Sequence, residues 1–567
     1  MAAVEVPSSR EAHPEKQGGP FSKPDANLSL AHFIVVFVAL VLGGIAGALQ
    51  AEVRSGTLTL PAGIDYYALL TLHGVVMALV VTTYFIVGFL LAFSGHLLGG
   101  ELKPTPRLLG WIGFIVMTLG TAMAAIEILL GNASVLYTFY APMQASPWFY
   151  VGVTLLIVGS WISGAAIFVQ YHLWRKEHPG ERSPLGAFMA VCTFILWDIA
   201  TLGVAIESLF QLIPWSFGLT KTINVELSRT FFWYFGHPLV YFWLLPAYIV
   251  WYTVIPKIVG GKVFSDTLAR FAFLLFILFS VPVGFHHQLM DPGIQSGWKF
   301  VQVVLTMMVV IPSLMTAYAL FATFIRAGRA KGQTGFTGWL KAMPWGDVRF
   351  LAPFIGMVGF IFGGAGGIIN ASNQMNAMVH NTLWVTGHFH ETLALTVILT
   401  FFGASYWLLP ALSGRKLTPQ MNKLGILQTI LWTVGMVIMS GAMHAVGLLG
   451  APRRTSYTTY QNNPLAQTWV GYEQWMAIGG IILFIGLALM VYNAFRMIYG
   501  APKGYTEVPV ADIEEEAGTP PAIFEKWWLW IGITVVLVLI AYFVPVTQMI
   551  QNAGPGSPGF NTWNFGR

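Results

Sequence analysis

Thirteen stretches of this chain are apolar over about 20 residues or more, the length a helix needs to cross a bilayer. They run roughly over 30–50, 66–97, 108–130, 147–172, 186–213, 230–256, 266–291, 299–326, 350–371, 377–410, 421–449, 471–499 and 527–550. In hydrocarbon every backbone N–H and C=O has to be satisfied within its own segment or a closed barrel, so spans of this length are helices. With 56% hydrophobic and 9% charged residues, the 567-residue chain is expected to be an all-α polytopic membrane protein rather than several soluble domains.

The formal charge of +5 raises the question of a nucleic-acid partner, and the placement of the basic residues answers it. With the amino terminus inside, 22 of the 29 Lys and Arg fall on the cytoplasmic side and 7 on the other, as the positive-inside rule requires. The longest cytoplasmic connection, between the eighth and ninth spans, carries Arg326, Arg329, Lys331, Lys341 and Arg349. Basic charge is therefore a topology signal. Residues 1–27 read as a polar cytoplasmic tail with no cleavage site after the first apolar stretch, and 28–500 as a twelve-span core. An acidic cytoplasmic linker, 501–526, with Glu507, Asp512, Glu514, Glu515 and Glu516, leads to a thirteenth span and an outer tail, 527–567. The single cysteine, Cys192, excludes a disulfide framework, a Cys-based copper pair and CxxCH haem attachment within this chain. The GGAGG run at 363–367 lies inside a span, where it permits close helix packing. No GxGxxG or P-loop pattern falls in a strand-turn-helix context.

Of thirteen histidines, His13, His32, His96, His172 and His178 fall in tails or at span edges, where no special role is expected. The other eight, His73, His237, His286, His287, His380, His388, His390 and His444, lie at or near membrane depth. An ionisable side chain there is costly and marks function, although a carbonyl-bonded buried histidine is the bland alternative. The stretch HNTLWVTGHFH, 380–390, carries three of them. His388 and His390 point about 200° apart around a helix, so one metal does not take both, and two cofactors are expected, one on each side. His73, followed by Gly74, is the candidate second axial ligand opposite one of the pair; two axial imidazoles close a haem iron to substrate and suit it to electron transfer. His237, in GHPLVY, joins the adjacent His286 and His287, which follow Pro282 and Gly284, residues that loosen a helix. Three imidazoles suit copper and leave a coordination position open. Tyr241, four residues after His237, shares its helical face, and a phenol beside a redox metal can supply a proton and an electron.

GHPLVY, the HH pair and the HxxxxxxxHFH pattern together resemble subunit I of the haem–copper oxygen reductases, and the resemblance covers the twelve-span core. It implies a twelve-helix oxidase bundle with one extra C-terminal helix, and an enzyme that reduces dioxygen to water and translocates protons. His73 and His390 would bind a low-spin haem, His388 a high-spin haem, and His237, His286 and His287 an active-site copper, with Tyr241 covalently joined to His237. The resemblance also implies propionate-binding residues at His380, Arg453 and Arg454, guanidinium forks being suited to carboxylates. Asn381 stands among them where many relatives carry Asp beside an extra magnesium site. A subunit II with a dinuclear copper site, fed by cytochrome c, is the implied partner, with small single-helix subunits alongside, in a prokaryotic plasma membrane.

Two departures from the best-known branch carry information. Leu239 stands where that branch usually has Glu, and 299–326 has no interior lysine. What remains is Ser313 and Thr316 on span eight, with Tyr248 and Tyr252 below Tyr241 on span six. Tyrosines at i, i+7 and i+11 fall close to one face, which suggests a hydroxyl and water path from the cytoplasm. This pattern, with GFHHQ and SLMTA, is similar to the B-type branch. Haem types stay open between a and b. A nitric oxide reductase of the same superfamily is the alternative enzyme; Tyr241 and the lack of a nearby glutamate on its helix argue against it. A secondary transporter would share buried carboxylates such as Glu127, Asp198, Glu207 and Glu391, but would not need six histidines at this spacing. For Glu391, proton loading and a supporting hydrogen bond near the high-spin haem edge are equal readings.

Overall fold

The computed structural model of the chain describes residues 19–457, 460–514 and 519–562. His13, Glu515, Glu516 and most of the polar tail lie outside them. Twelve helices among the described residues are long and apolar enough to cross a membrane. In order they are α1 (Lys23–Arg54), α2 (Tyr66–Leu97), α3 (Pro104–Leu129), α4 (Pro147–Glu177), α5 (Leu185–Ser216) and α6 (Val225–Ile258), then, after the shorter α7 (Asp266–Ser280), α8 (Ser296–Ala330), α9 (Val348–Ala371), α10 (Leu383–Ser413), α11 (Pro419–Leu448), α12 (Pro464–Gly500) and α13 (Trp527–Gln551). Polar side chains start several of them: Asp65 accepts from the N–H of Tyr67 and Ala68 at the head of α2, and Asn224 from that of Leu227 at the head of α6.

The expected seventh span, 266–291, is shorter as a helix. α7 has 15 residues and stops at Ser280, because Pro282 brings no N–H and cannot continue the ladder. His286 and His287 consequently leave the helix and sit on the tight 3-10 turn Phe285–His287. The expected span 377–410 is also divided. A short helix, Asn373–Val379, precedes a turn at His380 and Asn381, and α10 starts at Leu383. Asn381 holds that turn at φ +59, a left-handed conformation that Asn tolerates better than most residues.

Several crossings widen into π turns, at Val76–Val81, Ser208–Leu212, Val250–Val254, His390–Ile398 and Arg496–Gly500. Pro214 and Pro256 stand just beyond two of them. A proline lacks the N–H and presses on the carbonyl four residues back, and one extra residue in the turn relieves both. Small residues bring neighbouring helices into backbone contact: a Cβ on Gly120 of α3 would come within 2.4 Å of the Gly152 carbonyl oxygen of α4.

The C-terminal segment is tied down at both ends of its helix. Before α13, Glu525 accepts from Ser183 at 2.6 Å and pairs with the buried Arg270 at 3.1 Å, which also meets Asp266 at 2.9 Å. Beyond α13, Ser557–Pro558 runs antiparallel to Thr222–Ile223, and Phe560–Asn561 runs parallel to Met143–Gln144. His32, expected at a span edge, is instead fully buried in α1. Its Nδ1 lies 2.8 Å from the Leu28 carbonyl oxygen and its ring packs on Phe114 and Tyr84.

Candidate metal centre

A cavity of about 640 Å³ runs through the middle of the bundle and is bordered by all six histidines that the sequence singles out for ligation, and by His380. On one side His73 of α2 faces His390 of α10, ring centroids 6.2 Å apart and planes 10° from parallel. Each ring is fixed from behind. His73 Nδ1 is 2.8 Å from the Gly43 carbonyl oxygen and His390 Nδ1 is 2.8 Å from that of Thr386, so each turns its Nε2 inward, as metal-ligating imidazoles do. A metal–imidazole nitrogen bond is about 2.0–2.1 Å, and two of these with half a ring on either side fill the observed separation. Gly47 is required here: a Cβ would come within 2.6 Å of the His73 ring.

His388 points away from that pair, toward α9. A Cβ on Gly366 would lie 2.5 Å from its Nδ1, and one on Gly363 would meet Thr392 at 2.6 Å. The GGAGG run therefore serves close approach to α10, as its place inside a span suggests. The bare face it leaves along the cavity suits a flat macrocycle. Phe389 lies between the two histidines, edge-on to Tyr137 at 6.0 Å.

Across the cavity, His237, His286 and His287 offer one nitrogen each, all within 4.8 Å of one another. His287 Nε2 and His237 Nδ1 approach to 3.3 Å, and the buried His237 Nε2 has no hydrogen-bond partner among the described residues. A converging set of buried imidazoles with an orphaned nitrogen fits a soft-to-borderline cation such as copper. Tyr241 packs on His237 at 5.1 Å between ring centroids. Two supporting residues are not apparent from the motifs alone. The Trp233 indole lies flat on His287, centroids 3.8 Å apart and planes 5° from parallel, and Thr306 Oγ1 meets His286 Nδ1 at 3.0 Å. Trp233 does carry a signal, standing one helical turn before His237; Thr306 carries none, because α8 meets the turn only in the folded bundle.

At the rim of the cavity, Arg453 donates to the Asn381 side-chain oxygen at 2.9 Å, and its backbone N–H to the Asn381 carbonyl at 2.9 Å. Arg454 lies over the Tyr140 ring at 5.0 Å, with its Nε and one Nη without a partner among the described residues. Burial, with the neighbouring charge of Arg454, lowers Arg453 to about 10, which leaves it cationic at neutral pH. Neither guanidinium is ion-paired among the described residues, a deficit that acidic haem edges would satisfy. His380 meets the Asn376 side-chain oxygen at 3.1 Å; burial and then the charge of Arg453 lower its pKa and favour the neutral ring.

Two groups stand apart from the cavity. His444 meets the Ser440 carbonyl at 2.7 Å and packs against Trp384. Glu391 accepts from the Ser440 hydroxyl at 2.8 Å, a contact compatible with both readings of it. Ser313 faces Tyr248 and Thr316 faces Tyr252, both tyrosines being buried. The Tyr252 hydroxyl lies toward Thr316 without closing a direct hydrogen bond among the described residues. Leu239 is part of the cavity wall.

Comparisons with known proteins agree with this geometry. The family described as "Cytochrome C and Quinol oxidase polypeptide I" matches residues 27–482. Cytochrome c oxidase subunit 1 of Thermus thermophilus is 38% identical over 99% of this chain and 100% of its own length. Cytochrome c oxidase polypeptide 1 of Halobacterium salinarum is 26% identical over 91% of this chain and 85% of its own. A solved structure of a heme-copper terminal oxidase dimer superposes with a TM-score of 0.89 at 37% identity and covers 95% of both chains. The chain is an integral membrane protein and one subunit of an oxidase complex. It belongs to the subunit I family of the haem–copper oxidases, the terminal respiratory enzymes that reduce dioxygen and whose subunit I carries haem and copper.

Proposed function

We propose that this subunit is a B-type oxidase core that takes electrons from cytochrome c through a subunit II with a dinuclear copper site, and protons from the cytoplasm. The observation that carries the reading is the approach of His237, His286 and His287 to within 4.8 Å of one another across one cavity from His388. His73 and His390 hold the low-spin haem, His388 the high-spin haem, and the three clustered histidines the copper. When bound, these groups supply the electrons and the dioxygen-binding position.

The protein's own residues do the rest. His73 and His390 would hold one haem between two imidazoles and so keep substrate from its iron, while His388 would be the one histidine that holds the other. Tyr241 presents its phenol beside His237, where it can yield a proton to the site. Tyr252 with Thr316, and Tyr248 with Ser313, form a series of hydroxyls along which water can relay protons toward Tyr241. Arg453, Arg454, His380 and Asn381 would hold the carboxylate edges of the haems at the outer rim. The excess of Lys and Arg on the connections that share a side with the amino terminus supports a cytoplasmic N-terminus in a prokaryotic plasma membrane. The acidic linker 501–526 is then also cytoplasmic.

Reduced-minus-oxidised and CO-difference spectra of the purified complex, with iron and copper analysis, test the assignment. Two irons and one copper are expected in this chain, with one haem that binds CO and one that does not. Absence of haem would end it.

A further inference from the structure

Gln302 of α8 is fully buried beside the turn that carries His286 and His287. Its Oε1 accepts the backbone N–H of Gly284 at 2.8 Å and of Phe285 at 2.7 Å. These N–H groups lie past the end of α7 and have no helical partner, so a side chain has to satisfy them. With its oxygen committed, the amide nitrogen faces the other way and donates to the Ala541 carbonyl of α13 at 3.3 Å. One turn along α8, Thr306 donates to the Gln302 carbonyl at 2.7 Å and meets His286. α13 also touches the turn directly. Tyr542 packs on Phe285 and on Tyr234, ring centroids 5.1 Å apart in both pairs, and a Cβ on Gly284 would come within 2.5 Å of its hydroxyl oxygen.

We infer that Gln302, held from behind by α13, is a positioning residue for the copper site: it fixes the backbone from which His286 and His287 project. The inference rests on the copper reading of the three histidines and extends the site to a helix that carries no ligand. Gln302 touches no reacting atom and acts through two backbone N–H groups. Without its amide both are buried and unpaired, and the turn loses its tether to α8 and α13. Partners one step behind the ligands commonly change metal affinity by about 10–100-fold.

The test uses the purified complex with Gln302→Met, which removes acceptor and donor at similar length, and Gln302→Glu, which keeps an acceptor for both N–H groups and gives up the donor to Ala541. Two readouts are followed: the rate at which bathocuproine disulfonate strips copper from the reduced complex, and the stretching band of CO held on copper after low-temperature photolysis. Gln302→Met is expected to lose copper about 10–100-fold faster and to shift or broaden the band, with the low-spin haem spectrum unchanged. Gln302→Glu is expected to fall between it and the wild type. Wild-type stripping and band in Gln302→Met would overturn the inference. Should that variant not assemble, Gln302→Glu decides alone, and wild-type behaviour there overturns the part assigned to α13. A wild-type complex without copper would instead overturn the copper reading itself.

Discussion

Arg54 Nε meets Glu473 Oε1 at 2.9 Å, with both side chains less than a tenth exposed. The same guanidinium donates to the carbonyls of Thr455 at 2.8 Å and Pro452 at 2.7 Å, so α1, α12 and the rim loop with Arg453 and Arg454 are joined at one point. Removing one partner of a buried pair strands the other charge, at a cost of about 3–5 kcal/mol. Glu473→Ala is expected to lower the midpoint of thermal inactivation of the purified complex, as followed by calorimetry. An unchanged midpoint would show that water reaches the pair and screens it.

His73→Leu is expected to abolish the low-spin haem spectrum while CO binding persists, because His390 keeps only one axial side and His388 is untouched. An unchanged low-spin spectrum would refute the pairing of His73 with His390.

His237→Ala is expected to remove copper and leave both irons, since His73, His388 and His390 lie on other helices. Metal analysis with the haem difference spectrum reads this directly. Full copper content would show that His286 and His287 suffice, and would remove His237 from the ligand set.

Thr316→Val keeps shape and loses the hydroxyl that faces Tyr252. Turnover is expected to fall on the order of tenfold, about 1.4 kcal/mol in the barrier, with haem and copper content unchanged. Wild-type turnover would count against the path through Tyr252 and Tyr248.

Residues whose meaning is carried by spacing are legible in the sequence itself. His388 and His390 separate to two sides because one intervening residue forces them to, and His73 stands opposite His390 as expected. The outlines of twelve helices follow from hydropathy alone. The early stop of α7 is half visible: Pro282 and Gly284 mark a loosened helix, but not a turn that leaves it altogether. Gln302 and Thr306 are invisible, because a polar residue in an apolar span acquires a partner only when another helix docks. The expectation of a span-edge His32 fails for the same reason, since its burial comes from Phe114 and Tyr84 on helices distant in sequence.

The hydrogen bond from Gln302 to Ala541 spans 239 residues of chain. At a synthesis rate of 5–20 residues per second, that separation is roughly 12–48 s, during which the turn with His286 and His287 emerges, enters the membrane and waits for its support. The copper pocket is thus completed late in biogenesis. Until the thirteenth helix docks, the Gln302 amide lacks its Ala541 acceptor and Phe285 lacks the Tyr542 ring that packs on it.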